Sequence, residues 1–169
     1  MKKFVPIMFI FLLIIFSTFV SAQEYVGADK CKMCHKSEKS GQQHPLWEAR
    51  KHSKSFQALS MEQAKEFSPD TPAVENPKCL CCHAPLADKA PDLKEEGVTC
   101  EVCHGPGSDY KKLSIMKDHE ESVKNGLIDY PSIDAIKTKC LSCHENAHNY
   151  TFDFETAWET VKHPVPGKK

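Results

Sequence analysis

A chain of 169 residues with 22 basic and 23 acidic side chains has a formal charge of −1, which excludes the strongly basic field that nucleic-acid binding relies on. With 40% hydrophobic and 27% charged residues it has globular proportions, so a disordered or fibrous chain is also excluded. The outlying number is nine cysteines, and their spacing decides their use.

Met1-Lys2-Lys3 opens the chain, an almost unbroken apolar run follows from Phe4 to Phe16, and Ser17-Thr18-Phe19-Val20-Ser21-Ala22 closes the segment. A basic start, an apolar middle and a small-residue end describe a secretory signal peptide over residues 1–22, with cleavage expected between Ala22 and Gln23. The alternative is an uncleaved anchor facing the periplasm, because Phe4 to Val20 nearly matches the roughly 17–25 residues that cross a bilayer. Export to the periplasm is the expectation, with only peripheral membrane contact unless the segment is retained. Residues 23–169 then form one domain with a radius of gyration of about 15 Å. Without Lys2 and Lys3 it carries 20 basic against 23 acidic side chains.

Cys31-Lys32-Met33-Cys34-His35 comes first in that domain. A helix is predicted from about Pro45 to Phe67, opened by His44-Pro45 and stopped by Ser68-Pro69. At about 100° per residue Ala49, His52, Phe56 and Leu59 share a face, so His52 is expected to point inward. Cys79-Leu80-Cys81-Cys82-His83 and Cys100-Glu101-Val102-Cys103-His104 follow, the latter running into the turn Gly105-Pro106-Gly107. A second helix is predicted from Ser108 to Asn125, with Ile115, Met116, His119 and Val123 on its buried side. After Cys140-Leu141-Ser142-Cys143-His144, a last helix is predicted over about Phe154 to Lys162, broken by His163-Pro164. Little of the chain has strand character, and Pro, Lys, Asp and Ser punctuate it throughout. The expected fold class is mainly α with extensive loops.

Eight of the nine cysteines thus fall in four Cys-x-x-Cys-His motifs, the pattern of c-type haem attachment. Two thiols add across the vinyl groups of the porphyrin, and the adjacent imidazole sits under the iron. Cys31, Cys34, Cys79, Cys82, Cys100, Cys103, Cys140 and Cys143 are the expected attachment residues, and His35, His83, His104 and His144 the proximal ligands. Zinc is the competing use of Cys-x-x-Cys pairs, but it does not require a histidine after each one. With nine histidines in 169 residues, four such coincidences arise by chance about once in a hundred thousand. A thioredoxin-like dithiol is excluded because no alternating strand and helix pattern surrounds any pair. The expectation is a compact multihaem cytochrome c with four covalently bound haem c groups forming much of its core. Haem propionates would make it more acidic, which favours docking to basic redox proteins.

Five histidines remain for the sixth iron positions: His44, His52, His119, His148 and His163. His52 and His119, on inward helix faces, and His163, held stiffly at a helix end, are the expected distal ligands. Met116 is the alternative to His119 and would raise that haem's potential. His148 follows His144 by four residues, too close to reach the opposite face of the same haem. Both His148 and His44 are read as surface or propionate-bonding histidines. Cys81, inside the second motif, is read as a buried free thiol, with an intermolecular disulfide as the alternative.

Lys30-Cys31-Lys32-Met33-Cys34-His35-Lys36, Trp47 with Lys51-His52-Ser53-Lys54, the run from Gly97-Val98-Thr99-Cys100-Glu101 to His104-Gly105-Pro106-Gly107, and Tyr150-Thr151-Phe152-Asp153-Phe154 together resemble the tetrahaem cytochrome c-554 family. The resemblance implies a mostly helical fold with haems in closely stacked pairs. It implies His52, His119 and His163 as distal ligands, and an open five-coordinate haem at His83 in the second motif. It also implies periplasmic electron carriage, from an upstream oxidoreductase such as a hydroxylamine-oxidising octahaem protein to a downstream membrane or periplasmic cytochrome.

Electron transfer without substrate chemistry is therefore the leading expectation, and no catalytic side chain is assigned. The enzymatic alternative is weak reduction of a small nitrogen species such as nitric oxide at the open haem of His83. A subunit of a cytochrome filament is a third class, for which an aromatic content of 9% gives no support.

Overall fold

The computed structural model describes residues 22–145 and 147–165. The expected signal peptide lies outside the described residues except for Ala22. Every regular element among the described residues is helical, in agreement with the mainly α expectation. The α-helices run in the order α1 Ala28–His35, α2 Gln43–Glu48, α3 Ser55–Ala58, α4 Ala64–Phe67, α5 Pro77–His83, α6 Cys100–His104, α7 Leu113–Met116, α8 His119–Lys124, α9 Ile133–His144 and α10 Phe154–Val161, with short 3-10 turns between them. No helix among them is long and apolar enough to cross a membrane.

Most of these helices are only one or two turns long, too short to be stable alone, so their neighbours hold them. The long helix expected from Pro45 to Phe67 is instead α2, a 3-10 turn at His52–Lys54, α3 and α4. Side-chain hydroxyls break it. Ser53 Oγ reaches back to the carbonyls of Glu48 and Arg50 at 3.0 and 2.9 Å, and Val98 N–H takes the carbonyl of His52 at 3.0 Å. Gly97, beside that crossing, has φ +66°, and a Cβ there would stand 2.7 Å from His52 O. The helix expected over 108–125 likewise splits into α7 and α8, because Asp118 caps a new start by accepting from Glu121 N–H at 3.1 Å. The last helix forms as expected, with Asp153 accepting from Glu155 and Thr156 N–H at its start.

Packing brings distant segments together through polar anchors as much as through apolar contact. The Trp47 indole donates to Val98 O at 2.9 Å. Arg50 Nη1 donates to Val161 O at 2.7 Å and Lys162 O at 2.9 Å, closing the end of α10, while Gln43 Nε2 donates to Pro164 O at 2.9 Å. These two side chains grip the chain on both sides of His163. Among the described residues the buried hydrophobic side chains are Ala28, Leu59, Ala73, Ala84, Leu86, Val102, Tyr110 and Phe154, three of them only alanine.

Candidate haem sites

In an α-helix, residues three and four apart lie on one face, so Cys at i, Cys at i+3 and His at i+4 project together. The chain uses this four times, since α1, α5, α6 and α9 each end on the histidine of their motif. Local signals start these helices where they are needed. Asn76 caps α5 ahead of Pro77 in its first turn, and Ser132 caps α9 by accepting from Ala135 N–H.

The start of α1 is held by another motif. Glu101, inside the third Cys-x-x-Cys-His, is 2% exposed and accepts from Gly27 N–H at 2.8 Å, Val26 N–H at 2.9 Å and Gly107 N–H at 2.6 Å. Glu96 accepts from Ala28 N–H at 3.0 Å and from the Thr99 hydroxyl at 2.6 Å. A carboxylate at a helix N-terminus is favoured by the orphan N–H groups there. Two carboxylates thus tie the first motif to the third.

The thiols report the same adjacency. Cys31 is held far above the ordinary thiol range by its hydrogen bond with Cys100 and then by burial. Cys82 is pushed up to about 12 by burial and by the neighbouring Cys143. Burial raises Cys103, with Cys140 and Cys143 close enough to add to the effect. The motifs therefore lie in the spatial series first, third, fourth, second.

Three pairs of histidine rings face one another, and each joins a motif histidine to one outside any motif. His52 stands opposite His144 at 6.2 Å between ring centroids, His163 opposite His104 at 5.9 Å, and His148 opposite His83 at 6.1 Å. Two imidazoles binding one metal from opposite sides, each nitrogen about 2 Å from it, place their ring centres about 6 Å apart.

Burial disfavours the charged form of four of these rings, as ligation requires. Burial lowers His104 to about 4, with His163 and His35 adding to the effect, and burial is also the main cause that lowers His52, His144 and His163. His83 Nδ1 donates to Ser55 O at 2.9 Å, which fixes the tautomer with Nε2 free, and His35 Nδ1 meets Gln43 Oε1 at 3.3 Å. Phe152 stacks on the His144 ring at 4.5 Å, beside an open cleft of about 420 Å³ that Leu141 also lines.

Three sequence expectations meet a different placement, and a fourth residue lies as expected but with an added contact. His119 does not face inward. It is exposed at the first position of α8 and pairs with Asp129 Oδ1 at 3.3 Å, because the Asp118 cap turns the chain there. His44 is not a surface residue, being 2% exposed and packed edge-on against Trp47 at 5.3 Å. Cys81 is exposed rather than buried, with its thiol donating to Lys78 O at 3.2 Å. His148 is exposed, as expected of a surface histidine, yet its ring is aimed at a motif histidine. A signal in the sequence pointed to that last arrangement: His and Asn, adjacent at 148 and 149, are the non-glycine types that tolerate the left-handed backbone both adopt.

The donor set fits haem c. Zinc needs four converging donors, whereas no group of three or more His, Cys, Asp or Glu converges among the described residues. The chain offers thiol pairs beside facing imidazoles. Buried Nδ1 atoms of His44 and His163 also lack a hydrogen-bond partner, an expense that metal ligation can offset at His163.

Helices that end on Cys-x-x-Cys-His and rings spaced for two axial ligands define a c-type cytochrome, which holds haem c covalently. Residues 30–105 match the family described as cytochrome c554 and c-prime. Cytochrome c-554 of Nitrosomonas europaea is 24% identical to this chain, the match covering 83% of the chain and 63% of that relative's length. The chain is thus similar to the cytochrome c-554 family, over residues 30–105 and along the aligned part of that relative. The chain spans less than two thirds of that curated relative. No solved structure matches it.

Proposed function

We propose that this chain is an exported electron carrier with four covalently attached haem c groups and no substrate chemistry of its own. The observation that carries the reading is the series of adjacent motifs, Cys31 by Cys100, Cys103 by Cys140 and Cys143, and Cys143 by Cys82. Such a series lets an electron cross the domain in short steps.

Bound haem c supplies the one-electron ferric/ferrous couple. The eight motif cysteines would hold it, and His35, His83, His104 and His144 would ligate its iron, with His52, which faces His144, and His163, which faces His104, as further ligands. Arg50 and Gln43 hold His163 in place through the backbone on either side of it. Ser55 O accepts from His83 and so raises the basicity of its free nitrogen. Because the polypeptide buries few large apolar side chains of its own, the haems form much of the core.

The signal-like residues 1–22 support a periplasmic location. An acidic surface suits docking to basic patches on an upstream oxidoreductase and a downstream periplasmic or membrane cytochrome. Mass spectrometry of the mature protein should give four haems per chain, and electron exchange with a basic redox protein should slow as salt rises. Fewer than four haems would remove the tetrahaem reading, and rates independent of salt would remove the docking reading.

A further inference from the structure

We propose that His148 is the sixth ligand of the haem held by Cys79, Cys82 and His83, so that the position left open by the family resemblance is closed in this chain. The inference rests on the haem reading above and concerns one site within it.

His148 and His83 face each other at 6.1 Å, the same spacing as the pairs His52 with His144 and His104 with His163. His83 has its Nδ1 engaged by Ser55 O, which leaves one nitrogen to meet iron on the side where His148 stands. The backbone is bent to achieve this. His148 has φ 52° and ψ 31°, and Asn149 follows with φ 57°. The left-handed region is open to few residue types besides glycine, and two consecutive residues adopt it here. Phe67, from α4, packs edge-on against the His148 ring at 4.5 Å and helps to hold it.

The placement also solves the problem of sequence spacing. Four residues past His144, His148 cannot ligate the haem that His144 serves. Cys143 lies beside Cys82, however, so the end of α9 passes over the second motif. One segment of five residues then gives a proximal ligand to the fourth haem and a distal ligand to the second. A closed second haem has no coordination site for a small nitrogen species, which favours a carrier over a reductase.

The test uses the mature holoprotein and the variants His148→Asn and His148→Gly, both of which tolerate the left-handed backbone. Electron paramagnetic resonance of the oxidised proteins should show one haem of the four converted from low to high spin in each variant. Haem mass should stay at the wild-type value, and added imidazole should return that haem to low spin. Wild-type spin states in both variants, with full haem mass, would overturn the assignment. Wild-type protein lacking covalent haem would instead refute the haem reading itself.

Discussion

The first and third motifs are fastened to one another differently from the second and fourth. Between α1 and α6 the polypeptide does the fastening, through Glu101 and Glu96 accepting backbone N–H groups across more than sixty residues of sequence. Between α5 and α9 the contacts are rings and thiols: His148 against His83 and Phe67, Phe152 on His144, and Cys143 beside Cys82. Charge-assisted bonds to a buried carboxylate hold a fixed geometry by themselves. Facing imidazoles have no such bond between them, so the second pair is the one whose order a bound metal would complete.

The largest test of this contrast is Glu101→Ala, which leaves three backbone N–H groups without their acceptor. Losing hydrogen bonds to a buried carboxylate costs on the order of 3–5 kcal/mol, so thermal or denaturant unfolding should shift sharply. A shift below about 1 kcal/mol would show that the first pair is also held mainly by its cofactors. Next come His52→Ala and His163→Ala. Each should convert one low-spin haem to high spin while leaving the covalent haem count unchanged, and an unaltered resonance spectrum would remove that residue from the ligand set. Arg50→Met should follow at about 1–2 kcal/mol, because two carbonyls at the end of α10 lose a charged donor, discounted for their partial exposure. It should also broaden the signal of the haem served by His163, which a purely local loss would leave sharp. His119→Ala should have the smallest effect, within about 0.5 kcal/mol and with no change of spin state, because that ring is exposed on Asp129. Appearance of a high-spin haem in this variant would restore His119 as a ligand.

Much of the local structure around the motifs was legible in the sequence because it is local. A Cys-x-x-Cys-His motif needs about one turn of helix, and α1, α5, α6 and α9 supply it. The last helix was legible for the same reason, with Asp153 at its start and His163-Pro164 beyond its end. The long helices expected over 45–67 and 108–125 were not, because periodicity records which residues share a face and is blind to Ser53 and Asp118 diverting the backbone. The partners of the histidines were illegible too. His52 faces a ring 92 residues away in the chain, and His119, equally well placed by periodicity, meets an aspartate instead.

The sequence by itself determined which thiols and imidazoles come as units and that the chain builds helices. Those properties reside in spacings of three or four residues, within one helical turn, and need no tertiary context. Only the tertiary structure decided which motif lies beside which, that Glu101 joins two of them, and that His148 reaches His83 rather than solvent. Such pairings are set by long-range closure of the chain, where a few buried hydrogen bonds and one left-handed turn choose among arrangements that the motifs alone leave equal.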